Sequence, residues 1–198
     1  MNKLKKRNTI GIVISLIFAM VFGTVSASAS DVSPRISQYY LAEGVGHVDY
    51  YITSSASSYA TEIGNAAYKW EVTGYGWNPI YMYNTTNFNA SNMDIYAQDD
   101  GAYAPYNGYT LFIDVTSNGH VQIDPRYSFW DYGEIYLNTN ASAFGGLNSN
   151  LKQGVIGHEM GHVFGLDEHN DNIYSIMCQQ PCTKVHGFVL RLKVAYAG

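Results

Sequence analysis

The amino-acid sequence predicts an α+β domain built on one twisted mixed sheet of about five strands with two long helices. Two observations lead there. Five short runs read as strands, separated by Asn, Asp and Gly turn residues, and two stretches repeat apolar residues at helical spacing. Their order along the chain, strand, helix, several strands, helix, suits a single mixed sheet with helices packed on it.

The first 29 residues are expected to fall outside that domain. Lys3, Lys5, Lys6 and Arg7 precede an apolar run from Ile10 to Val25, closed by the small residues Ala27, Ser28 and Ala29. This is the order of a secretory signal peptide, with cleavage after Ala29. The run falls short of the roughly 20 residues needed to span a bilayer, so residues 1–29 read as a leader and 30–198 as one domain. A secreted, soluble and monomeric protein is the expectation, without a membrane partner. Losing the leader leaves seven basic residues against sixteen acidic ones, a net charge of −9. Nucleic acid and other polyanions are therefore not expected as partners.

Each element follows in order. "HVDYYIT" (47–53) is the first strand, ending in the serine cluster 54–58. A helix capped by Ser57 or Ser58 follows, with Ile63, Ala67 and Trp70 on one side, until Gly74 stops it. "PIYMYN", "MDIYAQ", "YTLFIDV" and "GEIYLNT" supply the remaining strands. The second long helix runs from Leu147 or Asn148 to Phe164. Leu151, Val155, His158 and His162 share one side of it, and Ile156, Met160 and Val163 lie nearly opposite, as expected of a buried helix. Gly154, Gly157 and Gly161 form a stripe between them, which suggests a neighbouring backbone at close range, since each mid-helix glycine costs about 1 kcal/mol relative to alanine. Near the C-terminus Val185, Phe188 and Leu192 fall at helical spacing and suggest a short last helix.

Tyrosine is the compositional oddity, with 18 copies. Filling sheets and half-wet surfaces is the plain explanation, and sugar or peptide binding the other. The two cysteines, Cys178 and Cys182 in "CQQPC", can close a small loop. A structural zinc site would normally need four ligands, and no second Cys/His cluster exists.

Chemistry concentrates in "GHEMGHVFGLDEHNDNIYSIMC", residues 157–178. His158 and His162 stand at i and i+4, the spacing that lifts two imidazoles from one helix face toward a single point. Glu159 is displaced by about 100°, where it can reach a water without being a ligand. Zinc on three protein ligands keeps a fourth position for such a water. Gly165 allows a positive φ that turns the chain back under the histidines. Asp167, Glu168 and His169 then arrive as candidates for the third ligand, and the count from His158 falls on Glu168.

The segment resembles the metzincin zinc peptidases, whose motif is H-E-x-x-H-x-x-G-x-x-H followed by a Met-turn. His158, Glu159, His162, Gly165 and Met177 match by type and order. Glu168 stands where most of that family has His, which is closer to the small secreted bacterial snapalysin-like branch. The resemblance implies a metzincin-like fold with an active-site helix, a Met-turn and a short C-terminal helix. It also implies a zinc-dependent endopeptidase acting on protein or peptide substrates, with one zinc on His158, His162 and Glu168, Glu159 as general base and acid, and Met177 as an apolar floor. His169 and Asp167 stay open as alternative ligands. "IGNAAYKWEVT" looks like the matrixin first helix, "MDIYAQDD" like the strand after it, and "GEIYLNT" like the edge strand bordering the substrate cleft. The chain departs from matrixins in having no cysteine-bearing pro-segment and no structural zinc loop. Asp99 and Asp100 in "AQDDGAY" are a faint suggestion of calcium. The competing reading is a non-catalytic extracellular binding module on the same scaffold, working through Tyr-rich loops.

Overall fold

The structure, a computed structural model, describes residues 38–73, 77–102, 106–167 and 176–177. The leader, Gly74, Glu168, His169, Cys178, Cys182 and the expected C-terminal helix lie outside these residues. No helix among the described residues is long and apolar enough to cross a membrane.

Strand β1 (Val48–Ile52) buries Val48 and Tyr50 on one side and leaves Asp49 and Tyr51 half-buried on the other. The serine cluster after it is a 3-10 helix, Ser54–Tyr59, rather than a cap. Ser57 donates its hydroxyl to the Ser54 carbonyl at 2.8 Å, so it does not cap the helix that follows. That helix, α1 (Ala60–Glu71), starts at Tyr59 with no side-chain cap and buries Ile63, Ala66, Ala67 and Trp70. It also ends before Gly74, because Asn78 Nδ2 donates to the last-turn carbonyls of Trp70 at 2.6 Å and Glu71 at 2.7 Å. Orphan carbonyls at a helix end need such donors.

The rest of the sheet comprises β2 (Met82–Asn84), β3 (Met93–Gln98), β4 (Gly108–Thr116), β5 (Gly119–Ile123) and β6 (Tyr132–Asn138). Six strands lie in the order β2-β1-β3-β6-β4-β5. β2, β1, β3 and β6 are parallel, while β4 runs antiparallel to both β6 and β5. β6, the "GEIYLNT" strand, is therefore an interior strand and not an edge. Both of its flanks are used, and Ile135 and Leu137 are fully buried. β5 is the strand the sequence did not announce, a short polar partner paired with Phe112–Thr116 of β4.

Helix α2 (Ser149–Val163) is capped by the Asn148 side chain, which accepts from Leu151 N at 3.0 Å. It packs beside α1 on one face of the sheet. Two indoles hold it there: Trp70 Nε1 donates to the Gly157 carbonyl at 3.0 Å, and Trp130 Nε1 to that of Val163 at 2.9 Å. Both rings are essentially buried, and burial of each large apolar side chain stabilises by about 1.5–3 kcal/mol. Gly133 of β6 faces the helix, where an added Cβ would meet Val163 Cγ2 at 2.5 Å. Strand and helix can touch there only without a side chain.

At two of the three glycines in the α2 stripe, no neighbouring backbone lies at close range. At Gly161 the close neighbours are the side chains of Met177 and Trp70, not a backbone, and Gly154 faces open space.

Candidate functional site

The i, i+4 pair on α2 is brought together. His158 Nε2 and His162 Nε2 stand 3.2 Å apart, with the two rings perpendicular. Each ring is oriented through its other nitrogen: His158 Nδ1 lies 2.8 Å from the Ile176 carbonyl, and His162 Nδ1 lies 2.9 Å from the Leu166 carbonyl. A carbonyl can only accept, so both Nδ1 atoms carry hydrogens. In the neutral rings both Nε2 lone pairs then face one point. Bare lone pairs so close repel each other. A cation between them, or an extra proton on one ring, removes the conflict.

The separation suits zinc. Bonds of about 2.0–2.1 Å at tetrahedral angles place neighbouring nitrogens about 3.3 Å apart, close to the spacing of this pair. Nδ1–H bonded to a backbone carbonyl is also the usual way a metal-binding imidazole is held. Among the described residues no third His, Cys, Asp or Glu joins the pair. Asp167 is half-buried at the end of the turn. Glu168 and His169 lie outside the described residues.

Gly165 has the positive φ anticipated for it, 95°. The Leu166 amide bonds the Gly161 carbonyl at 3.0 Å across that turn. An added Cβ at Gly165 would meet Tyr40 Cβ at 2.8 Å, so space as well as φ favours glycine. The chain returns beside the histidines at residues 176–177. Met177 is 1% exposed and lies against Gly161, next to the residue whose carbonyl orients His158.

Glu159 is 5% exposed, and its surroundings were not foreseen. Thr110 Oγ1 of β4 donates to Glu159 Oε2 at 2.8 Å and also lies 3.3 Å from the Glu159 carbonyl oxygen. Oε1 makes no hydrogen bond among the described residues. Two positions along β4, an added Cβ on Gly108 would stand 3.3 Å from Glu159 Cγ and 3.4 Å from Val155 Cγ1. Small residues on alternate positions of this strand let it approach the acid, a signal available in "NGYTLF" once the strand's face is known.

The same strand supplies an open edge. β5 covers Phe112–Thr116 only, and among the described residues no strand pairs with that side of Gly108–Leu111. A shallow, open cleft of about 500 Å³ lined by Thr110, Phe112, Gln122, Ile123, Asp124 and Pro125 adjoins it. Thr110 therefore belongs both to the cleft and to the surroundings of Glu159.

Asp99 and Asp100 sit elsewhere, where β3 runs into the following loop. Asp99 Oδ1 accepts from Asn140 Nδ2 at 3.1 Å and from Gly101 N at 2.9 Å, and the Asn140 bond, then the Gly101 bond, lowers its pKa. Asp100 Oδ1 accepts from Gln98 Nε2 at 2.7 Å. These carboxylates hold the turn together.

Searched against known protein families, the chain matches no family model, and no curated protein matches it either.

Proposed function

We propose that the chain is a secreted zinc-dependent metalloendopeptidase of the metzincin type, in which one zinc is held by His158, His162 and Glu168. The observation that carries this reading is the 3.2 Å convergence of two Nε2 atoms whose Nδ1 partners are backbone carbonyls, with a buried glutamate between them in sequence. Zinc, when bound, supplies a water with its pKa lowered to about 7 and polarises the peptide carbonyl. Glu159 takes the proton of the attacking water and delivers it to the leaving amine. The Gly108–Leu111 edge of β4, rather than β6, is where an extended peptide can pair through main-chain hydrogen bonds. Met177 closes the apolar floor behind the histidines. Export follows from the leader, and purified secreted protein is expected to begin at Ser30.

The decisive comparison is casein or gelatin hydrolysis by the mature chain and by Glu159→Ala, with zinc measured in both. Proteolysis lost with one zinc per chain retained supports the enzyme. Absence of proteolysis in the wild type points to the binding-module reading. For the third ligand, Glu168→Ala is expected to lose zinc affinity far more than His169→Ala, and the reverse order transfers the role to His169.

A further inference from the structure

We infer that Thr110 is a positioning residue: its hydroxyl fixes the Glu159 carboxylate through Oε2 and leaves Oε1 as the oxygen that handles the proton. This rests on the proposed function for its consequence, though not for its geometry. Thr110 is the third residue of β4, between positions that exclude alternatives. Gly108 brings β4 within contact of Glu159 Cγ, and Phe112 packs on Trp130, the ring that anchors the end of α2. The strand cannot slide without breaking its six-residue register with β6, in which Thr110 sits opposite Ile135. The hydroxyl is thus held in place by packing on both sides.

Its donation is chemically selective. A threonine hydroxyl has one hydrogen, and here it lies 2.8 Å from Oε2. A charged acceptor makes that bond stronger than a neutral one. With Oε2 engaged, the carboxylate cannot rotate freely, and Oε1, which makes no hydrogen bond among the described residues, is the oxygen left for substrate chemistry. Thr110 also lines the cleft, so the fixed carboxylate lies beside the surface a substrate must approach. An error of about 1 Å in such placement can cost on the order of a hundredfold in rate.

The test uses Thr110→Val, which keeps the shape and removes the hydroxyl, and Thr110→Ser, which keeps the hydroxyl. The expected result for Val is a kcat lower by roughly ten- to a hundredfold, with KM and bound zinc unchanged. Ser is expected to restore most of the loss. Crystal structures of wild type and Val variant supply a readout independent of turnover: the Glu159 carboxylate should leave its place once the hydroxyl is gone. If Val does not fold, Thr110→Ala carries the same comparison. A carboxylate unmoved in the hydroxyl-free variant overturns the inference, as does an unchanged kcat or a Ser variant as poor as Val. Should the wild type cleave no peptide, the proposed function fails while the crystallographic comparison still decides the role of Thr110.

Discussion

Glycines at 154 and 161 occupy the same helix yet face opposite surroundings, which separates helix propensity from packing. An added Cβ at Gly154 meets nothing within 4 Å, whereas at Gly161 it meets Met177 and, at 3.2 Å, Trp70. Gly154→Ala should therefore stabilise the fold by up to about 1 kcal/mol, the ordinary gain of alanine over glycine in a helix. Gly161→Ala should destabilise it by about 1–3 kcal/mol, the usual cost of overpacking, and should displace Met177 from beside the histidines. Urea unfolding of the two variants checks the sign of each. Equal effects would mean that Met177 does not press on the helix. The histidine pair was legible in the sequence because i, i+4 spacing fixes two side chains on one face whatever the tertiary fold. Thr110 was not, since its bond to Glu159 joins residues 49 apart and depends on the register of β4.

At the scale of elements, α1 stops where it does because a loop residue caps it. Asn78 donates to two carbonyls of its last turn and accepts from Ile80 N at 3.3 Å. Glu71 Oε1 then receives Met82 N at 2.9 Å, tying the helix end to β2. Asn78→Ala should cost about 1–2 kcal/mol in thermal or chemical unfolding, as expected when helix-end groups lose a hydrogen-bonding partner. An unchanged midpoint would show that water replaces the amide without loss. Gly74 is the natural stop in the sequence, and the competing signal, an asparagine seven residues beyond Glu71, becomes visible only when the loop is folded back. β5 was illegible for a related reason. "GHVQI" has no buried side, with Gly119 to Gln122 all exposed, so it lacks the apolar alternation by which β1, β3, β4 and β6 announce themselves. Its pairing comes from the tight turn at Ser117 and Asn118, which sets Thr116 opposite Gly119. The interior place of β6 follows from β4 folding back beside it, a long-range choice that the run "GEIYLNT" does not encode locally.

Across the sheet the helices cover one face, and the other face carries a stack of tyrosines. Tyr96, Tyr136 and Tyr109 stack across β3, β6 and β4 with centroids 4.9 and 5.0 Å apart. Beside them Asp94 is 3% exposed and pairs in register with Glu134 of β6. Burial first, and Glu134 next, push the Asp94 carboxyl up from 3.8 to about 6, against the lowering effects of the Ser91 hydroxyl and His120. An acid whose folded pKa is raised holds its proton longer in the native state than in the unfolded one. Below about pH 4 both states are protonated and the group contributes no pH dependence. As pH rises from about 4 to 6 the unfolded chain loses the proton first, so stability falls and stays lower above that window. The difference corresponds to about 2–3 kcal/mol at neutral pH, on a protein whose acidic excess already opposes compaction. Asp94→Asn keeps an acceptor for the Ser91 hydroxyl and removes the charge. It should raise stability by about 2 kcal/mol at pH 7.5 while changing little at pH 3.5, measured as denaturant midpoints at the two pH values. A variant equally stabilised at both would place the effect in packing rather than charge. A variant stabilised at neither would mean that the central pair of strands bears the buried carboxylate without strain.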